Sequence, residues 1–211
     1  MRRAYSIHQI RQFRPTTLDF TGEWLAAIGR PERTGSWLIW GKSANGKTRF
    51  ALQLARYLAN FACVAYDSLE EGLSLTMQNA IAEVGFTDGR VKRNFSLLDK
   101  EPIDELAERL SKEKAPKIVI IDSLQYTGLT YTAYKQLRDA NPGKLLIFIS
   151  HADGAEPKGG VASSIKFDAN VKIYVEGYRA MPQSRYGGGV PYDVWPARAA
   201  EYWAGRDNAA E

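Results

Sequence analysis

The segment Gly41-Lys-Ser-Ala-Asn-Gly-Lys-Thr48 constrains this chain more than any other. It satisfies the pattern G-x-x-x-x-G-K-[ST] in full. It follows a short apolar run, Ser36-Trp-Leu-Ile-Trp40, and opens an amphipathic stretch carrying Phe50, Leu52, Leu54, Leu58 and Phe61. Glycines in such a strand-to-helix loop let backbone N–H groups turn inward around a phosphate, and the helix N-terminus adds partial positive charge. Gly41, Lys42, Ser43, Ala44, Asn45, Gly46, Lys47 and Thr48 are therefore the expected nucleotide cradle. Lys47 should reach the β- and γ-phosphates, and the Thr48 hydroxyl should bind Mg²⁺.

A phosphate loop needs a sheet behind it, and the rest of the chain supplies the pattern of one. Further apolar runs bounded by turn residues occur at Ala62–Tyr66, Lys117–Ile121, Lys144–Ile149 and Val171–Val175. Runs of that length suit buried strands. Helical periodicity fills the gaps: Leu73, Met77, Ile81 and Val84; then Ile103, Leu106 and Leu110; then Tyr131, Tyr134 and Leu137. Strands alternating with helices imply an α/β chain with a mostly parallel sheet covered on both faces. After Val171 the pattern changes to strand, Gly/Pro-rich stretch (Pro182, Gly187, Gly188, Gly189) and strand (Val190–Trp195). This reads as a C-terminal β-hairpin with a long mobile tip. Residues 153–168 have little periodicity and read as a functional loop. Cys63 lies in an apolar run and reads as a small core residue.

Composition excludes several classes. The 211 residues are 45% apolar and 25% charged, enough for one sizeable core and too apolar for a disordered chain. No run approaches the roughly 18 to 20 apolar residues of a membrane span, so no membrane partner is expected. One cysteine and two histidines argue against a structural zinc site, and cysteine usage suits a reducing cytoplasm. The net charge is +4, which permits nucleic-acid binding without requiring it. The arginines at 2, 3, 11, 14, 30 and 33 concentrate positive charge before the first strand. The expected organisation is a basic arm and short helix (1–33), a nucleotide-binding core (34–200) and a tail (201–211).

Three further sites carry chemistry. Ile118-Val-Ile-Ile-Asp122 is an apolar strand ending in a carboxylate, as a magnesium-supporting aspartate requires. Tyr66-Asp-Ser-Leu-Glu-Glu71 follows the second strand, where loops face the ligand crevice. A carboxylate there can orient or deprotonate the attacking water. Ser68-x-x-Glu71 also reads as a capping box for the next helix, so Glu70 is the expected base, with Glu71 and Asp67 as substitutes. Ser150-His151, at the end of the run 144–149, can sense the γ-phosphate. For base stacking Tyr126, Tyr131 and Tyr186 stay open, with Trp40 read as core.

These residues together resemble the RecA-like P-loop ATPase superfamily, especially its RadA/Sms, KaiC and DnaB-helicase branches. The resemblance spans roughly residues 34 to 195 and rests on GKSANGKT, AYDSLEEG, IVIIDSLQ and ISHADG. Ser184-Arg-Tyr-Gly187 is similar to the Lys-Asn-Arg-Phe-Gly segment of RadA-type proteins, with Gln183 where that family has lysine. The resemblance implies a three-layer fold in a minimal single-core form, assembling into rings or filaments. It implies ATP rather than GTP, helped by the lack of an N-K-x-D motif. It also implies Lys47 and Thr48 on nucleotide and Mg²⁺, Glu70 as base, Asp122 on the metal, His151 as sensor and Arg185 as a trans-acting finger. The expected function is an Mg-ATPase working on DNA in recombination, repair, replication or transposition. DNA contacts are expected from Lys158, Lys166 and the arginine-rich N-terminus. A small-molecule or nucleoside kinase is the alternative, although residues 123–150 hold only Arg138 for a lid. A nucleotide-dependent scaffold is the third reading.

Overall fold

The computed structural model describes residues 4–207. Arg2, Arg3 and residues 208–211 of the expected tail lie outside them. In chain order the elements are α1 (Ile7–Gln12), α2 (Gly22–Ile28), β1 (Gly35–Gly41), α3 (Lys47–Leu58), β2 (Val64–Ser68), α4 (Leu75–Val84) and α5 (Gly89–Asn94). These are followed by β3 (Phe95–Asp99), α6 (Ile103–Ser111), β4 (Ile118–Asp122), a 3-10 turn (Leu124–Tyr126) and α7 (Tyr131–Ala140). Last come β5 (Leu145–Asp153), β6 (Glu156–Pro157), α8 (Gly160–Asp168), β7 (Val171–Glu176), β8 (Arg179–Ser184), β9 (Tyr192–Asp193) and α9 (Pro196–Asp207).

The sheet runs β3-β2-β4-β5-β1-β7-β8-β9, with β6 folded back on β5. The first six strands are parallel; β8 and β9 each pair antiparallel with the strand before. Alternation along these strands builds both faces. Trp37, Ile39, Tyr66, Ile120 and Ile147 join α2, α3, α4 and α5 in one core. Their neighbours Leu38, Trp40, Ala65, Ile121 and Phe148 join α6, α7 and α8 in the other. Each fully buried Leu, Ile or Phe contributes about 1.5–3 kcal/mol. The three-layer arrangement expected from the sequence is present.

Local chemistry sets the helix starts. Ser74 accepts the N–H of Met77 and Thr130 accepts that of Ala133, capping α4 and α7. The expected cap Ser68 is instead the last residue of β2, and its Oγ accepts the Gly72 N–H. The turn 69–72 separates it from α4, so Glu71 is not half of a capping box.

Four other expectations change. The strand paired with β7 is Arg179–Ser184, which contains Pro182, and β9 covers only two residues of the expected run 190–195. The glycine-rich stretch is therefore no mobile hairpin tip. It lies on α2, where Gly189 and Val190 donate to the carbonyls of Ala27 and Ala26. A Cβ at Gly188 would stand 2.7 Å from the Ala27 carbonyl oxygen, which explains the glycine there. Residues 160–168 of the expected loop are α8, whose Ala162 and Ile165 are buried. Cys63 is exposed, because β2 begins one residue later. Within the expected arm, Leu18, Phe20, Ala27 and Ile28 are core residues, and α9 crosses the expected core–tail boundary at 200.

Candidate functional site

β1 delivers the loop. At Gly41 a Cβ would collide with the Val175 carbonyl oxygen, so only glycine fits between β1 and β7. Ala44 and Gly46 take positive φ, and Gly46 is the N-cap residue of α3. The loop is braced from the β7–β8 turn: Asn45 Oδ1 accepts the Gly177 N–H at 2.7 Å, and the Asn45 carbonyl accepts that of Tyr178 at 3.2 Å. Lys42, Ser43 and Ala44 at the crown are exposed.

The loop forms one wall of a cleft of about 410 Å³, lined by Lys47, Thr48, Arg49, Glu70, Glu71, Asp122, His151, Tyr178 and Trp195 among others. The expected residues Lys47, Thr48, Glu70, Asp122 and His151 thus come together. They sit at or just beyond the carboxyl ends of β1, β2, β4 and β5, four adjacent strands of the sheet. Lys47 Nζ donates to the Lys42 carbonyl of its own loop at 2.8 Å. Burial lowers its pKa, while Asp122 and Glu70 pull the other way. Asp122 is buried, and burial pushes its carboxyl up to about 6, against the Tyr66 hydrogen bond, with Glu70 adding to the rise and Lys47 opposing it. The Tyr66 hydroxyl donates to Asp122 Oδ2 from inside the sheet.

Glu70 Oε2 is 3.0 Å from His151 Nε2 and accepts from Ser123 Oγ at 3.4 Å. Glu71 instead accepts the Thr76 hydroxyl at 2.6 Å. Asp67 faces away from the cleft. Its Oδ1 accepts the Glu101 N–H at 3.1 Å, and its Oδ2 is buried without a partner. Burial pushes this carboxyl to about 7. Behind His151, the Gln125 amide donates to Ser150 Oγ and the Lys158 carbonyl and accepts the His151 N–H.

Thr48 and Asp122 present a hydroxyl and a carboxylate, hard oxygen donors that suit Mg²⁺ completed by phosphate and water. Among the described residues no group of three His, Cys, Asp or Glu is placed to hold a metal ion, so phosphate oxygens would have to share the coordination.

Other expected residues lie elsewhere. Arg185 is exposed and follows Ser184, which pairs with Val171 at the start of β7. It therefore stands at the end of the sheet opposite its own loop. Lys166 is held by Glu156 and lies 4.9 Å from the Trp40 ring centroid. Tyr131 stacks on Tyr134 and donates to Asp168. Tyr186 joins the core near α2, and Tyr126 is exposed beside His151; none of these three tyrosines lines the cleft. Trp40 is buried, its Nε1 donating to the Ala155 carbonyl.

The aromatic wall is instead Tyr178 and Trp195, with the Arg49 and Arg198 guanidiniums each 4.4 Å from the Trp195 centroid. No local signal marks these residues. Tyr178 reaches the loop only through the β7–β8 turn, and Trp195 only after β9. Sequence reasoning likewise misses Tyr66 and Gln125, although both lie inside the segments AYDSLEEG and IVIIDSLQ.

No protein-family model and no curated protein matches the sequence. Solved structures do match. The flagellar accessory protein FlaH from Methanocaldococcus jannaschii is 14% identical, with a TM-score of 0.57 over 85% of this chain and 94% of that one. The ATP synthase subunit NeqB from Nanoarcheaum equitans is 13% identical, with a TM-score of 0.55 over 76% of this chain and 50% of that one. The ATPase domain of a DnaB-like protein is 17% identical, with a TM-score of 0.52 over 79% of this chain and 84% of that one. The fold is that of the RecA-like P-loop ATPases. Among the described residues no helix is long and apolar enough to cross a membrane.

Proposed function

We propose that the protein is a magnesium-dependent ATP hydrolase that assembles into a ring or filament and acts on DNA in recombination, repair, replication or transposition. The observation that carries the hydrolase reading is the convergence of the Gly41–Thr48 loop, Glu70, Asp122 and His151 in one cleft. Loop N–H groups and Lys47 would bind the phosphates. A bound Mg²⁺, held by Thr48 and Asp122, would neutralise phosphate charge. Glu70 would orient the attacking water and take its proton, as a strand-end carboxylate held by His151 and Ser123 is placed to do. His151, bonded to Glu70, would sense the γ-phosphate. The nucleotide base would lie toward Arg49, Tyr178 and Trp195, at the other end of the cleft from the acidic groups.

Assembly is supported by the position of Arg185, which can approach a nucleotide only on another copy. For DNA the candidates are Lys158, Arg11 and Arg14, all exposed; Lys166 is engaged by Glu156 and Trp40.

Incubation with γ-labelled ATP and Mg²⁺ tests this reading. Release of free phosphate is expected. Transfer to an acceptor would make the protein a kinase, and no turnover would make it a nucleotide-dependent scaffold. A rate indifferent to single-stranded and duplex DNA would overturn the DNA part.

A further inference from the structure

The parallel sheet has one buried hydroxyl whose partner is the metal-side carboxylate. Tyr66 lies in the middle of β2 and is fully buried, packed among Ile39, Ile120 and Ile147. Phenylalanine would fill that space equally well, and an unpaired phenol there would be costly. Its hydroxyl donates to Asp122 Oδ2 across the β2–β4 pair, where the two residues are offset by two register steps: Tyr66 stands opposite Ile120, and Asp122 opposite Ser68. Asp122 keeps a residual 6% exposure and lines the cleft. With Oδ2 held from below, the carboxylate plane is fixed and only Oδ1 remains to face the cleft.

We infer that Tyr66 is a positioning residue for magnesium: it holds Asp122 so that one oxygen, in one orientation, is offered to the metal–nucleotide complex. This rests on the nucleotide-binding reading above. Partners behind a metal-side ligand fix its orientation, and losing one typically costs about 10- to 100-fold in metal affinity. Tyr66 touches neither the nucleotide nor the reacting atoms, so its effect must appear in the metal-dependent part of binding alone.

The experiment is ADP binding by calorimetry, with Mg²⁺ and with EDTA, in the wild type, Tyr66→Phe, Asp122→Asn and the double variant. In the wild type Mg²⁺ should tighten ADP binding. Tyr66→Phe should leave the EDTA affinity unchanged and lose about tenfold or more of the magnesium enhancement. In the Asp122→Asn background Tyr66→Phe should remove nothing further. Full enhancement in Tyr66→Phe, even with a lowered melting temperature, overturns the inference and leaves the nucleotide reading standing. A wild type that binds no ADP, or binds it indifferently to Mg²⁺, overturns both. Should Tyr66→Phe fail to fold, 3-fluorotyrosine at position 66 preserves the ring. Its fluorine resonance should move when Mg²⁺ is added to the ADP complex and stay still in Asp122→Asn. A resonance indifferent to Mg²⁺ would overturn the inference.

Discussion

Two glycine-rich segments stand at opposite ends of the sheet, and they use glycine for opposite purposes. In Gly41–Thr48 the loop opens onto a cleft, with Gly46 at φ +94° leading into α3. In Gly187–Gly189 the missing side chains let the segment lie against the chain's own α2, bonded to Ala26 and Ala27. The first segment leaves N–H groups for a ligand, whereas the second commits them to the protein. Glycine content alone therefore says that backbone must come close to something; what it approaches decides between site and scaffold.

The sharpest test of this division is whether the two ends meet between copies. Arg185→Ala should lower ATP hydrolysis by about 10³- to 10⁵-fold if Arg185 serves a neighbouring nucleotide. Mixing Arg185→Ala with Lys47→Ala subunits should then restore turnover, because each supplies the part the other lacks. A concentration-independent rate and no complementation would make the Arg185 end purely structural.

Within the cleft, Glu70→Gln should cut hydrolysis by about 10²- to 10⁴-fold with ADP affinity retained. Glu71→Gln should change it far less, because Glu71 is committed to Thr76. The reverse ranking, measured by steady-state phosphate release, would exchange their roles.

Gly188→Ala tests the scaffold end. The Ala27 clash and the φ of +82° should cost about 1–3 kcal/mol, lowering the melting temperature by several degrees. The stabilisation conferred by ADP should remain. Loss of that ADP shift would show that the two glycine segments are not independent.

The smallest effect concerns Asp67, the strand-end carboxylate turned away from the cleft. Its carboxyl rises from the ordinary 3.8 to about 7 on burial. The folded protein therefore holds a proton that the unfolded chain gives up. This favours folding below about pH 4 and is lost as pH rises through about 7. Asp67→Asn removes that dependence. Its stability relative to wild type should climb between about pH 4 and 8 by on the order of 1–3 kcal/mol. A flat difference in denaturant midpoints across that range would refute the assignment.

How much of this was legible follows from distance along the chain. The loop was readable because its eight residues are contiguous and each is needed for the same local geometry. Lys47, Asp122, Glu70 and His151 were readable because strand ends in a parallel sheet all face one crevice. The capping-box reading of Glu71 failed because spacing cannot show that Ser68 still belongs to β2. The hairpin was misplaced because Pro182 and the glycines resemble a tip, whereas β8 tolerates Pro182 in its register with Ile173 of β7.

By itself, then, the sequence determined the strand–loop–helix unit, the alternation of strands and helices, and the carboxylates at the strand tips. Those depend on residues within a few positions of one another and on the period of burial. Only the tertiary structure decided which carboxylate faces the cleft, that Tyr66 lies beneath Asp122, that Asn45 is braced by Gly177, and that the late glycines belong to α2. Each of these is a pairing between segments distant in sequence, and no local pattern of polarity encodes a partner that only sheet order brings within hydrogen-bonding reach.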